Sequence, residues 1–194
     1  MTKRLLQLLP KWGFFVCLAL LSACTDDNPW RFQDGEGGIS PTVTTSVEVK
    51  KSVAVRSEGS VDAPDVDQFG LTLTKSDGTY SKTWASTSLF PTDQGFKVGT
   101  YTMTAFYGSL DDEGFERPYF AGSETFEVQE DRTTDVAITA TLQNSMVSIA
   151  YTDAVQRYFR DWSAKLHSEG GDYVDYPKGE TRPAYLRPGH AAIA

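Results

Sequence analysis

The stretch FGLTLTKSDGTYSKTWA, residues 69–85, carries the clearest structural signal in the chain. Phe69, Leu71 and Leu73 fall at alternate positions, with threonines on the opposite face. Apolar residues at every second position are typical of a β-strand that buries one face. The Asp-Gly pair at 77–78 accepts the positive φ angles of a tight turn, and a second strand pattern follows it. The stretch therefore predicts a β-hairpin.

The same two-residue period recurs along most of the chain after residue 40. It is found in VTTSVEVKKSVAV (43–55), YTMTAFY (101–107), FEV (126–128), DVAITATL (135–142) and MVSIAY (146–151). Many short strands at close spacing, rich in β-branched residues, predict an all-β chain. We expect an immunoglobulin-like antiparallel β-sandwich, without the cysteine–tryptophan–cysteine pattern of antibody domains. Only AVQRYFRDW, residues 154–162, has the spacing of a short helix.

The first 23 residues have the composition of a secretory signal peptide. A basic start is followed by an apolar run at 13–23, which is too short to span a bilayer because a spanning helix needs about 20 residues. The segment contains Lys3, Arg4 and Lys11 but no acid, so its removal takes the net charge from −8 to −11. A chain this acidic lacks the basic surface that binds nucleic acid.

The apolar run ends in LSAC, residues 21–24, which resembles the lipobox of bacterial lipoproteins. The resemblance implies cleavage before Cys24, a diacylglycerol on its thiol and an acyl chain on its new amine. A chance cysteine after an ordinary secretory signal is the alternative. The acidic pair at 26–27 resembles the surface-export signal of Bacteroidetes lipoproteins, although a hydrophilic tether would have the same composition. We therefore expect an outer-membrane lipoprotein exposed at the cell surface, with residues 24–40 as a flexible acidic tether.

A weak internal repeat relates two parts of the chain. WSAKL at 162–166 and EGGDY at 169–173 match the spacing of the first hairpin, and PGH at 188–190 matches VGT at 98–100. The alternative is that any two β-hairpins share such a pattern.

These patterns divide the chain into a signal peptide (1–23), a tether (24–40), a β-sandwich domain (41–144) and a partial second β module (145–194). The second module stops before the strands that complete the first, and its terminal HAAIA would be a strand without a partner. We favour a truncated reading frame as the explanation. Strands supplied by another molecule are the alternative.

The chain contains several longer motifs, which include GEGGIS (35–40), VGTYTMTAFYG (98–108), PYFAG (118–122) and VSIAY (147–151). They resemble a family of Bacteroidetes surface lipoproteins, the uncharacterised domain of unknown function 4493. The resemblance covers most of the chain from residue 35 onward. It implies an anchored, extracytoplasmic β-rich protein of gut-type bacteria, and it supplies no catalytic residues.

Residue types with catalytic or metal-binding potential are few. His167 and His190 are the only histidines, and neither belongs to a nucleophile motif, so we expect no enzyme activity. Acidic residues cluster at 62–67 and 111–116, where calcium or a pair of glycosidase carboxylates is one interpretation and solvated loops are the other. We predict no metal site and no cofactor besides the lipid on Cys24.

Aromatic side chains on loops are the candidate ligand contacts. Phe115, Tyr119 and Phe120 lie on a long predicted loop, and Tyr173 and Tyr176 flank an aspartate. Exposed rings can stack on the faces of sugars, and aromatic side chains commonly line binding sites. In a cysteine-free sandwich, the alternative is that these rings fill the core or plug loops.

Together these features favour a lipid-anchored cell-surface β-sandwich that acts as a structural or adhesive interaction module, with an unknown ligand. The alternative is a glycan-binding accessory lipoprotein of a polysaccharide uptake system, and a hydrolase is the third hypothesis. The expected partners are the membrane, through the lipid, and another surface protein or a glycan. A cleft lined by at least two exposed rings would favour the glycan hypothesis.

Overall fold

The computed structural model describes residues 32–47, 62–169, 171–189 and 192–193. Strands make up nearly all of the regular structure in these ranges, which confirms the all-β prediction. The predicted signal peptide, the lipid-attachment residue Cys24, His190 and most of the predicted strand after residue 47 lie outside the described residues.

The strands in chain order are β1 (Glu36–Ser46), β2 (Gly70–Lys75), β3 (Ser81–Trp84), β4 (Phe96–Lys97), β5 (Gly99–Tyr107), β6 (Gly114–Phe115), β7 (Phe120–Val128), β8 (Thr133–Leu142), β9 (Ser145–Val147), β10 (Ser163–His167), β11 (Val174–Pro177), β12 (Ala184–Leu186) and β13 (Ala192–Ile193). The helix α1 (Asp153–Tyr158) overlaps the predicted helical stretch at 154–162, beginning one residue earlier and ending four residues earlier, and single 3-10 turns occupy Val66–Gln68 and Thr87–Leu89.

The predicted hairpin forms at β2 and β3. The two strands pair antiparallel, and Asp77 caps the turn by accepting a hydrogen bond from the backbone N–H of Thr79 at 2.9 Å. Gly78 has a φ of 73°, the left-handed conformation that the Asp-Gly pair predicted. Phe69, Leu71 and Leu73 are fully buried, so the predicted apolar face is the core face.

Seven strands form the main sheet, in the order β3-β2-β5-β7-β8-β1-β4. The sheet is mostly antiparallel, but β1 runs parallel to β8 from the pair Gly38–Thr133 to the pair Ser46–Thr141. Among the described strand pairs, this one departs from the predicted antiparallel arrangement, and the fold as a whole is the all-β, sandwich-like one that the sequence predicts. Short hairpin connections force consecutive strands to be antiparallel, whereas β1 and β8 are joined by most of the domain and have no such constraint.

Aromatic contacts join the two ends of this sheet over the core. Phe90 lies between Trp84, at the end of β3, and Phe96 in β4, with ring centroids 4.8 Å and 5.7 Å apart. Tyr80, just before β3, also contacts Phe96, with a centroid distance of 6.0 Å. The sheet therefore curls so that its two edge strands approach each other around one hydrophobic core.

The first strand begins inside the predicted tether. Residues 36–40 belong to β1, and Ile39 is fully buried, so the prediction of a flexible tether is wrong for these five residues. Their paired glycines allow close packing rather than motion. A Cβ on Gly37 would collide with the carbonyl oxygens of Gln129 and Arg132.

The C-terminal part of the chain forms two small sheets, β11-β10-β13 and β6-β12-β9. The second predicted hairpin is present as β10 and β11, which pair antiparallel. On its other side β10 pairs with β13, so the expectation that the terminal strand has no partner is wrong. In the first hairpin, β2 likewise lies between β3 and β5.

The loop between β5 and β7 connects the two parts of the chain. It contains β6, which pairs antiparallel with β12, and its Phe115 packs against the smaller hydrophobic core of Leu166, Val174, Tyr176, Ala184 and Leu186. Contacts between residues before and after position 144 therefore cross the domain boundary that the sequence predicts there.

Candidate functional site

An open cleft of about 510 Å³ lies in the C-terminal part of the chain. It is formed by the segment after β9, the helix α1, the residue before β10, and the turn between β11 and β12. The side chains that carry its chemistry are Tyr151, Gln156, Trp162, Lys178, Glu180 and Thr181.

Two aromatic rings form one part of this cleft. Tyr151 precedes α1 and Trp162 follows it, and the short helix returns the chain so that their ring centroids lie 5.8 Å apart at an interplanar angle of 57°. Both residues are half-buried, so each ring is partly accessible from the cleft.

Hydrogen bonds hold Tyr151 in place. Its hydroxyl donates to the backbone carbonyl of Tyr176 in β11 at 3.0 Å. Its own carbonyl accepts a hydrogen bond of 3.1 Å from the side-chain amide of Gln156 in α1. The ring is therefore positioned by a strand and a helix before any ligand arrives.

Lys178 covers the other aromatic residue. Its Nζ lies 4.5 Å from the centroid of the Trp162 ring, at cation–π distance, and donates to the carbonyl of Arg160 at 3.0 Å. The indole Nε1–H of Trp162 is buried and has no acceptor within the described ranges. An unpaired buried donor is costly, so this group favours an oxygen acceptor.

The carboxylate of Glu180 is held by its neighbours in the turn. It accepts hydrogen bonds from the side chain of Arg182, at 2.9 Å and 3.1 Å, and from the backbone N–H groups of Thr181 and Arg182. The side-chain hydrogen bond from Arg182, followed by that from its backbone, lowers the pKa of Glu180 to about 2. Glu180 is therefore ionised and ion-paired at neutral pH.

The described lining of the cleft offers binding groups rather than a catalytic pair. Glu180 is the one carboxylate among the lining residues, whereas a glycosidase uses two. Across the described ranges, no set of three or more His, Cys, Asp or Glu side chains is placed to hold a metal ion.

None of the helices in the described part of the chain is long and apolar enough to cross a membrane.

Two of the predicted ligand-contact residues are buried. Phe120 begins β7 rather than lying on a loop, and its ring packs in the main core against Phe69. Tyr176 is fully buried in β11, where its hydroxyl bonds the carbonyls of Val147 and Arg182 and accepts from the N–H of Ala184. The prediction of ligand contact is wrong for both residues, because each lies on the strand face that packs against a hydrophobic core.

The other three predicted aromatic residues lie apart from the cleft. Phe115 is half-buried against Tyr176 and covered by the guanidinium of Arg182, 4.7 Å from its ring centroid. Tyr119 is half-buried, and its backbone N–H donates to the side chain of Asn144. Tyr173 is exposed beside His167, but it does not line the cleft either.

The acidic residues at 111–116 divide into surface ion pairs and one buried group. Asp111, Asp112 and Glu116 pair with Arg187, Arg117 and Arg182 at 3.6 Å to 3.9 Å. Glu113 points inward and its side chain is only 6% exposed. It accepts hydrogen bonds from the Ser168 hydroxyl at 2.5 Å and the Arg187 backbone N–H at 2.7 Å. This cluster connects the loop to the C-terminal sheets.

The cleft residues Tyr151, Trp162 and Lys178 were not singled out as ligand contacts by the sequence. A signal for two of them exists, because Tyr151 precedes the predicted helical stretch at 154–162 and Trp162 ends it. Lys178 had none, since a lysine in a turn is most simply interpreted as solvated.

A family model described as Domain of unknown function (DUF4493) matches residues 38–193 of the chain. The search of curated proteins found no match to this chain. Among solved structures, a crystal structure from Bacteroides thetaiotaomicron VPI-5482, described as "putative polysaccharide binding proteins (DUF1812)", aligns with 8% identity and a TM-score of 0.41. The alignment covers 81% of this chain and 71% of that chain.

Proposed function

This chain belongs to the family described as domain of unknown function (DUF4493), and we propose that it is an exported β-module that binds a carbohydrate without transforming it. The observation that supports this proposal is the cleft in which Tyr151 and Trp162 are held side by side. A cleft lined by at least two exposed rings would favour the glycan hypothesis; Tyr151 and Trp162 line this cleft and are half-buried, so each presents only part of its ring to it.

The size and chemistry of the cleft suit a saccharide. Its volume of about 510 Å³ falls within the range of roughly 300–1,000 Å³ that is usual for small-ligand sites. Aromatic rings supply flat apolar faces, while Gln156, Thr181 and Lys178 supply hydrogen-bonding groups beside them. A sugar ring presents the same combination of apolar faces and polar rims.

The place of this module in the cell is part of the proposal. We assign a lipid anchor to Cys24, the outer membrane as the site of attachment and the cell surface as the exposed side. LSAC at residues 21–24 and the acidic pair that follows support the assignment. Replacing Cys24 with serine removes the acylated thiol, so the variant should leave the membrane fraction while the wild type remains in it. Equal retention of both proteins would contradict the anchor.

A structural or adhesive interaction module is the second candidate function. Tyr158 and Phe159, at the end of α1, are exposed to 77% and 61%, and neither lines the cleft. Large exposed apolar side chains are typical of surfaces that contact other proteins. This candidate ranks second because the cleft has a defined volume and one of its two rings, that of Tyr151, is held by a hydrogen bond.

A glycan array probed with soluble protein, residues 25–194, tests the carbohydrate proposal. We expect the wild type to bind a subset of glycans and Trp162→Ala to lose that binding, because the substitution removes the larger ring. Tyr158→Ala is the matched control, since it removes an exposed aromatic side chain outside the cleft, and it should bind as the wild type does. Silence of the wild type across the array, or retained binding by Trp162→Ala, would refute the proposal.

A further inference from the structure

One cation in the cleft, Lys178, has no counter-charge among the described residues. None of the ion pairs found among the described residues includes Lys178. Its ammonium can donate three hydrogen bonds, and the one found in the described part of the chain goes to the carbonyl of Arg160. The side chain is exposed, so the charge is accessible from the cleft.

The carboxylate in the same cleft does not neutralise this lysine. Both oxygens of Glu180 are engaged by Arg182, and one of them also accepts from the N–H of Thr181. A guanidinium that binds a carboxylate through two parallel hydrogen bonds forms a strong pair, which leaves little attraction for a second cation.

The exposed ammonium of Lys178 therefore has both charge and hydrogen-bonding capacity left for a ligand. The indole N–H of Trp162 also has no acceptor within the described ranges, but it is buried, so a ligand in the cleft does not reach it. The ligand that complements the ammonium carries negative charge. The chain as a whole is acidic, so it has no general attraction for polyanions, and capture of one would report this local site.

We infer that the saccharide bound in this cleft is anionic, and that its carboxylate or sulfate group pairs with the ammonium of Lys178. The inference rests on the proposed carbohydrate function and names the ligand class for the same site. When the anion draws the ammonium toward itself, it also uncovers the face of Trp162 on which Lys178 lies, so charge recognition and ring stacking occur together.

Calorimetric titration with three oligosaccharides of equal length tests this inference. They are oligogalacturonate, its neutral methyl ester and a sulfated galactan oligomer. We expect the wild type to bind at least one of the two acidic sugars about tenfold more tightly than the ester, the scale of one charge-assisted hydrogen bond. Preference for the sulfated oligomer identifies a sulfate ester as the source of the charge, and preference for oligogalacturonate identifies a carboxylate.

Substitutions at Lys178 connect this preference to the proposed residue. Lys178→Gln should abolish the preference, and Lys178→Arg should restore most of it because the charge returns. Lys82→Gln is the matched control, since Lys82 also lies over a tryptophan ring, that of Trp84 at 5.1 Å, but does not line the cleft. Melting temperatures equal to that of the wild type would establish that all three variants fold.

Two outcomes separate this inference from the proposed function. If acidic and neutral sugars bind equally, or if Lys178→Gln keeps the preference, the charge inference is overturned. The carbohydrate function then stands, provided that Trp162→Ala loses binding of every sugar. If the wild type binds none of these sugars and none on the glycan array, both proposals fail.

Discussion

Replacing Glu113 with glutamine should destabilise the C-terminal part of the chain. The carboxylate of Glu113 is 6% exposed and accepts hydrogen bonds from the Ser168 hydroxyl and the Arg187 backbone N–H. Glutamine has nearly the same shape and keeps one acceptor oxygen, but it removes the negative charge. The substitution therefore tests the charge of the connection between the loop and the C-terminal sheets rather than its packing.

The expected cost follows from the two short hydrogen bonds. A hydrogen bond to an ionised group contributes about 1.5–3 kcal/mol, and one between neutral groups about 0.5–1.5 kcal/mol, so each bond loses roughly 1 kcal/mol. The contact with the Arg187 side chain is long, at 3.4 Å, and that side chain is 39% exposed, so water screens it. We expect a loss of about 2 kcal/mol, which lowers the Tm by about 4–8 °C in a chain of this length.

The same cluster makes this contribution depend on pH. Burial alone would raise the pKa of Glu113, but the hydrogen bonds from Ser168 and Arg187, with the charge of Arg187, outweigh it and lower the pKa below its ordinary value of 4.5. Because the folded pKa lies below the unfolded one, the unfolded chain binds more protons in acid. The stabilisation is therefore complete above pH 4.5 and is lost as pH falls through the folded pKa.

Urea unfolding of soluble protein, residues 25–194, measures both effects. At pH 7 the free energy of unfolding of Glu113→Gln should be about 2 kcal/mol below that of the wild type, and the difference should shrink toward pH 3. Asp111→Asn is the matched control: Asp111 pairs with the same arginine at 3.9 Å but is 90% exposed, so the change should cost less than about 0.5 kcal/mol. Equal stability of the two variants at pH 7 would refute the reasoning.

Two further substitutions test how the strands are held together. Tyr176→Phe removes a buried hydroxyl and leaves the N–H of Ala184 without its acceptor, so the free energy of unfolding in urea should fall by about 3 kcal/mol. Tyr173→Phe is the control, because its ring is exposed, and it should change this free energy very little. Gly122→Ala places a Cβ against the carbonyl oxygen of Thr139 in β8, so it should lower the free energy of unfolding by about 1–3 kcal/mol. Ser123→Ala, at the exposed next position, is the control and should change it by less than about 0.5 kcal/mol. Wild-type stability of either Tyr176→Phe or Gly122→Ala would contradict the corresponding contact.

Local patterns in the sequence predicted the local parts of the fold. The alternation of Phe69, Leu71 and Leu73 and the Asp-Gly turn after them depend on neighbours in the chain, and the structure has both as predicted. The parallel pairing of β1 with β8 depends on residues far apart in sequence, so no local period indicates it. The paired glycines of β1 show the same limit, because composition alone does not distinguish a flexible segment from a closely packed one.

The candidate site was less predictable because loops and strand ends build it. Alternation shows that a strand has two faces, but only the packing decides which face is buried, as Tyr176 demonstrates. Tyr151 and Trp162 become neighbours because the short helix α1 turns the chain between them, and Lys178 meets Trp162 because Ser163 pairs with Pro177 at the open end of the β10–β11 hairpin. The approach of Tyr151 and the register of this hairpin depend on the folded chain, so a single sequence identifies the residue types without showing that they meet.

The position of β6 has a consequence for how the chain acquires its structure. By sequence β6 belongs to the loop between β5 and β7, yet its hydrogen bonds go to β12, some seventy residues later. This strand therefore stays unpaired until β12 is available. A fragment that starts after β8 would lack the strand altogether, so the C-terminal sheets depend on a strand that the N-terminal part of the chain supplies.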